Sequence, residues 1–207
     1  MDGYKYENVY ADLSEYYWGL SPSKMCLKII ELIPPGRHLK VMDIGCGEGK
    51  DAVFLARCGY DVSAFDVSVS GVEKVKRLAE KANVHVNAFQ ANIWDYRLSC
   101  GYDILFSSGV LQYIKPELRD EIMSNYLTHT NEDGLHAFNV FVEKPFIAPP
   151  PEKEEHSYFW HSGLLLSFYR DWYVEESSEF IFDCNSSGTP HKHAMNLVYA
   201  RSKGNDA

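Results

Sequence analysis

The sequence predicts an α/β fold, a doubly wound and mostly parallel sheet with helices on both faces. Three observations predict it. Strand and helix patterns alternate from Leu39 to Val142, the order that builds a parallel sheet through crossover helices. The connections are long enough for right-handed crossovers, which hairpins do not require. The first strand runs into a glycine turn that opens directly onto a helix, as in ligand-binding open sheets. A 207-residue chain with 45% hydrophobic residues suits one domain, residues 1–207, with a core that needs no disulfide or structural metal.

The elements follow in order. Residues 1–35 are an aromatic strap and a helix: Tyr4, Tyr6, Tyr10, Tyr16, Tyr17 and Trp18 precede Ser21-Pro22, a cap and first-turn proline for a helix reaching Leu32. Pro34-Pro35-Gly36 stops it, and Leu39–Ile44 is a short buried strand. A helix over Asp51–Arg57 ends at Gly59, and Tyr60–Asp66 alternates as a strand. A helix over Val69–Ala82 carries Lys74, Lys76, Arg77 and Lys81, which read as a solvated face. Strands at Val84–Phe89 and Tyr102–Phe106 come next. Pro116 opens a helix to His129 that Gly134 breaks, before a strand over Leu135–Val142. Residues 143–160, with Pro149-Pro150-Pro151 and the acidic Glu152–Glu155 run, form a long loop capping the fold. A helix near Ser162–Tyr169 leads to Trp172–Asp183 and His193–Arg201, an antiparallel hairpin around Asn185–Pro190 that closes the sheet.

Charge and hydropathy narrow the class. Lys plus Arg number 20 against 29 Asp plus Glu, a net charge of −9 that repels polyanions and disfavours nucleic acid as partner. No apolar run reaches the ~18 residues of a membrane span, and Met1-Asp2-Gly3-Tyr4 lacks the pattern of a signal peptide. The expectation is a cytoplasmic protein without membrane contact. Five cysteines, never spaced C-x-x-C, suit reduced thiols.

The segment richest in chemistry is Val41-Met42-Asp43-Ile44-Gly45-Cys46-Gly47-Glu48-Gly49. A phosphate-binding P-loop needs a wider glycine spacing and a Lys-Ser/Thr pair, and Asp51 stands where the hydroxyl belongs. A dinucleotide fingerprint needs its third glycine where Lys50 stands. The remaining pattern, D-x-G-x-G, resembles motif I of class I S-adenosylmethionine (SAM) methyltransferases. A carboxylate such as Asp43 opposes a diphosphate and complements an ammonium or sulfonium. Asp66 ends the second strand 23 residues later, where a carboxylate accepts from ribose hydroxyls. By that resemblance Asn92 and Ile93, after the third strand, fall on the adenine side, and the run Phe106–Ile114 at the end of the fourth, with Ser107 and Ser108, falls beneath the cofactor. An N-P-P-Y motif of DNA amino-methyltransferases is absent there.

From Val41 to Tyr113 the chain resembles the tellurite-resistance protein B (TehB)-like branch of class I methyltransferases, through Asp43–Gly47, Gly59–Val62, Phe65-Asp66 and Tyr102–Leu105. The resemblance implies a Rossmann-like seven-stranded sheet with an antiparallel last strand and SAM as methyl donor. It implies a small-molecule acceptor, a soft nucleophile or a metalloid oxyanion such as tellurite. It also assigns Asp43, Gly45, Cys46, Gly47, Asp66, Val67, Asn92, Ile93, Ser107, Ser108 and Trp18 to the cofactor. Related enzymes carry a His-Arg pair before the final turn, where this chain has Phe182-Asp183, and arginines where it has Leu166 and Ser167.

The candidate catalytic residues here are His191 and His193, with Cys184 and Asn185 across the turn; the histidines are two apart, on one face if that stretch is a strand. They suit a general base, an anion site when protonated, or metal ligation together with His156 or His161. Spacing alone supplies no third ligand, so no metal is assigned, and an exposed hairpin with two uninvolved histidines is the competing reading. Tyr16-Tyr17-Trp18 is either a lid over the sulfonium, worth about 2 kcal/mol when desolvated, or a strap packed on the core. Phe159, Trp160 and Tyr169 likewise either roof the pocket or fill it. Two other functions fit the cofactor motifs: a SAM-binding sensor or scaffold without turnover, and a methyltransferase for protein or RNA.

Overall fold

The computed structural model describes residues 4–36, 38–151, 157–185 and 188–204. His156, the acidic run at 152–155 and Ser186-Ser187 lie outside them, as do the first three residues of the strap. Seven strands form one sheet: β1 (Lys40–Ile44), β2 (Asp61–Asp66), β3 (Val86–Gln90), β4 (Tyr102–Ser107), β5 (Thr130–Val142), β6 (Tyr173–Cys184) and β7 (His191–Arg201). Their order is β3-β2-β1-β4-β5-β7-β6. β1 pairs in parallel with both β2 and β4, β2 with β3 and β4 with β5 likewise, and β7 runs antiparallel to both β5 and β6. The order reverses between β1 and β4, which places the ligand crevice at the carboxyl ends of those two strands.

Helices α1 (Tyr4–Tyr10), α2 (Lys24–Leu32), α3 (Lys50–Cys58), α4 (Val69–Lys81) and α5 (Arg119–Thr128) complete the fold. Alternate β1 residues point to opposite faces. Val41 packs with Ile29, Leu55 and Val75 from α2, α3 and α4, whereas Met42 and Ile44 pack with Ile122 and Tyr126 from α5 and with Trp160. Both layers are the apolar faces that the sequence pattern predicts. No helix among the described residues is long and apolar enough to cross a membrane.

Four local expectations change. The α2 cap is Ser23, whose hydroxyl accepts from the Cys26 N–H at 3.3 Å, so Ser21 and Pro22 lie before the helix. Gly134 does not end α5, which stops at Thr128. It lies within β5, where a Cβ would stand 2.6 Å from Thr130 Cγ2. The segment near Ser162–Tyr169 is only a 3₁₀ turn, Leu166–Tyr169. Lys74 is no part of a solvated face: it is 1% exposed and pairs with Glu48.

Candidate active site

The glycine turn after β1 exists because the chain must reverse into α3 against tightly packed neighbours. Gly45 has φ 73°, and a Cβ there would stand 2.5 Å from the Val110 methyls. Gly49 caps α3 at φ 84°, with Val75 as close as 2.7 Å to a Cβ. Both facts require glycine. The turn borders a cleft of about 1820 Å³ that also reaches Trp18, Phe141 and the β6–β7 hairpin.

Asp43 is 2% exposed, and its Oδ2 has no hydrogen-bond partner among the described residues. Burial first, then the nearby Asp51 and Asp66, holds its carboxyl well above the usual range, with Lys50 opposing. Such an oxygen beside a cleft can accept a hydrogen bond from a ligand donor. Asp66 at the end of β2 accepts the Gly47 N–H at 2.8 Å through Oδ2 and the Ser68 N–H at 2.9 Å through Oδ1. Burial raises its carboxyl and these backbone donors partly offset that. Each oxygen keeps a lone pair for a ribose hydroxyl.

The structure sorts the remaining sequence-derived residues. Gly45, Cys46, Gly47, Val67, Ile93, Ser108 and Trp18 line the cleft with Asp43 and Asp66. Asn92 and Ser107 do not. Asn92 Oδ1 accepts the Trp94 N–H at 3.0 Å in a local turn, and the Ser107 hydroxyl donates to the Ile44 carbonyl at 3.1 Å, tying β4 to β1. Ser107 is the last residue of β4 and Ser108 lies in the bend that follows, so Ser108 and not Ser107 reaches the cleft.

Trp18 donates its indole N–H to Tyr10 Oη at 2.8 Å, and its backbone N–H, with that of Tyr17, donates to Glu48. The strap is therefore bound to the site's own loop. Sequence reasoning missed Tyr6, Tyr10 and Glu48 as site residues, and it named Gln112 and Tyr113 only within the run after the fourth strand; all five border the cleft. Gln112 is 2% exposed with Oε1 unpartnered, a second buried acceptor facing it. Glu48 was legible as the one acidic residue within the glycine turn.

The capping loop is clamped at its base. Trp160 bridges Val142, Arg119 Nη2 donates to the Tyr158 carbonyl at 2.6 Å, and the guanidinium lies 4.5 Å from the Trp160 ring centroid. Trp160 and Tyr169 fill the core; Phe159 lines the cleft, stacked on Phe141 at 5.6 Å.

His191 and His193 border the same cleft, with Nε2 atoms 2.8 Å apart. His161, considered with them for a metal, is 80% exposed and stands 3.8 Å from Glu143 instead. The lysines lining the cleft each meet a carboxylate: Lys50 with Asp51 at 2.7 Å, Lys192 with Asp183 at 2.6 Å, and Lys144 with Glu179.

Comparison with known proteins agrees with this geometry. A family model described as tellurite resistance protein TehB matches residues 8–189. The probable S-adenosyl-L-methionine-dependent methyltransferase TehB of Haemophilus influenzae is 27% identical over 140 residues, 68% of this chain and 48% of that protein. The chain thus spans about half the length of that curated relative. The crystal structure of TehB from Haemophilus influenzae superposes with a TM-score of 0.80 at 24% identity, covering 90% of this chain and 64% of the other. Magnesium protoporphyrin IX methyltransferase from Synechocystis, with bound SAH, gives 0.65 at 14% identity over 96% and 86%. At those identities the two structures show a shared fold.

Proposed function

The chain belongs to the TehB family of tellurite resistance proteins, and on that premise we propose that it is a SAM-dependent methyltransferase acting on a small, soft nucleophile. The observation that carries this reading is the buried, unpartnered Asp43 Oδ2 beside the glycine turn, with Asp66 one strand away. The residues fit the cofactor. Asp43 and the Gly45–Gly47 backbone would take its amino acid moiety, Asp66 its ribose, and Ala91 and Ile93 flank the adenine side.

Bound there, the cofactor supplies an activated methyl on a sulfonium. The chain's own work is proximity, alignment and exclusion of water. The strap, held by Glu48 and Tyr10, walls one side with Trp18, and Phe141 and Phe159 wall the acceptor side. His191 or His193 takes the acceptor proton. Of the acceptor classes, a thiol fits better than a metalloid oxyanion, because the cleft lysines already neutralise carboxylates and leave little positive field for an anion.

Calorimetric titration with SAM and its demethylated product tests the cofactor, with Asp66→Ala alongside. Saturable binding weakened by the substitution is expected; no binding of either ligand at millimolar concentration overturns the reading. Transfer of labelled methyl to a panel of thiols, metalloid oxyanions and amines then separates an enzyme from a binding module, which would bind without product.

A further inference from the structure

We propose that Cys184, His191 and His193 form a site for a borderline-soft transition-metal ion of the Zn²⁺ class, open toward the cleft. The hairpin builds it. Cys184 and His191 are cross-strand partners in the β6–β7 register, and His193 follows two residues along β7, so all three side chains share one face. The cysteine sulfur and one nitrogen from each imidazole lie within 4.8 Å of one another, and all three residues border the cleft.

The tautomers favour ligation. His191 Nδ1 lies 2.7 Å from the Thr189 carbonyl, which can only accept, so Nδ1 carries the proton and Nε2 presents a lone pair. A backbone carbonyl behind the ring is the arrangement that orients metal-binding histidines. That lone pair meets His193 Nε2 at 2.8 Å. The His193 ring is held by Phe141, Phe182 and Phe159, at 4.8, 5.8 and 6.0 Å between centroids.

A thiolate with two imidazoles selects Zn²⁺-like ions over hard cations, which need several oxygen ligands. Tetrahedral ligation at about 2.0–2.1 Å sets the nitrogens about 3.3 Å apart, so the pair opens by roughly half an ångström. Protons balance: the hydrogen between the two Nε2 atoms moves to His193 Nδ1, and the Cys184 thiol proton leaves, about one per ion. Three protein ligands leave a fourth position on the cleft side, where an acceptor thiol would bind as its thiolate and release its proton to solvent, so that in the ion-loaded protein the ion replaces His191 or His193 as the means of deprotonation. That role rests on the methyl-transfer reading, whereas ion binding does not.

The test titrates Zn²⁺ into the purified full chain against a chromophoric chelator, with Co²⁺ as a spectroscopic probe. Expected are about one ion per chain, a thiolate-to-cobalt charge-transfer band, a loss of about 100-fold or more in affinity for Cys184→Ala and His193→Ala, and no change for His161→Ala. Binding of demethylated cofactor, measured on each variant, reports that the fold is intact. Absence of Zn²⁺ binding at about 100 µM, or wild-type affinity in Cys184→Ala, overturns the metal site while leaving cofactor binding untouched. Zn²⁺ binding without cofactor binding would overturn the methyl-transfer reading alone.

Discussion

Lys74 Nζ lies 2.7 Å from Glu48 Oε1, and both side chains are 1% exposed. The pair joins α4 to the glycine turn. The same lysine donates to the Glu15 carbonyl at 2.8 Å, and Glu48 accepts from Tyr17 and Trp18. Removing one partner leaves an uncompensated buried charge, so Glu48→Gln should cost about 3–5 kcal/mol. It should also loosen the strap. Urea unfolding checks the first effect, and faster proteolysis near Tyr17 checks the second.

Gly45→Ala meets two obstacles, a φ of 73° and the Val110 methyls at 2.5 Å. The backbone strain is about 1–3 kcal/mol, and the clash adds to it. In the double variant Gly45→Ala/Val110→Ala the methyl contacts at 2.5 Å are gone, while the Cβ of residue 110 at 2.9 Å and the strain stay. Cofactor affinity should therefore fall strongly in the single variant and recover only in part in the double. Calorimetry on both variants decides it; full recovery would mean that φ is not a constraint.

His136 is fully buried between the Thr130 hydroxyl at 2.7 Å and Tyr169 Oη at 3.0 Å. Burial lowers its pKa to about 3, against an opposing hydrogen bond at the Tyr126 backbone. The unfolded chain therefore binds the extra proton first. The stability His136 contributes is whole above pH ~6.5 and is lost as pH falls toward 3. Between pH 7.5 and 5 the loss is about 2 kcal/mol. Denaturant midpoints measured at both pH values should differ accordingly in the wild type, and by much less in His136→Gln.

The sheet was legible because each buried strand is a short apolar run bounded by turn residues, and the glycine turn because its glycines are adjacent to a strand-end carboxylate. What failed was direction and partnership. Ser107 and Ser108 are neighbours in sequence, and which of them borders the cleft depends on where β4 ends and the bend begins. Lys74 sits three residues after Gly71 and four before Leu78, on the apolar face of α4, and helical periodicity alone therefore marks it for burial. Cys184 was legible across the turn from His191, but its pairing with that residue was not, because hairpin register depends on the turn that joins the strands.

Asp43 sets function against stability. Its carboxyl is raised by burial and by Asp51 and Asp66, so the folded chain holds that proton more tightly than the unfolded chain does. The stability it contributes is present below the ordinary carboxylate pKa and is lost as pH rises through the folded value. Asp43→Asn removes the ionisation while keeping the shape, and should raise the thermal midpoint of the ligand-free protein at pH 8. The same substitution removes the counter-charge for a cationic ligand. Cofactor affinity in the wild type should therefore increase as pH rises and Asp43 ionises, and should be weak and far less pH-dependent in Asp43→Asn. Thermal melts and calorimetry from pH 6 to 8.5 test both halves. An Asn variant that melts lower, or binds as tightly as wild type, would show that Asp43 serves the turn and not the ligand.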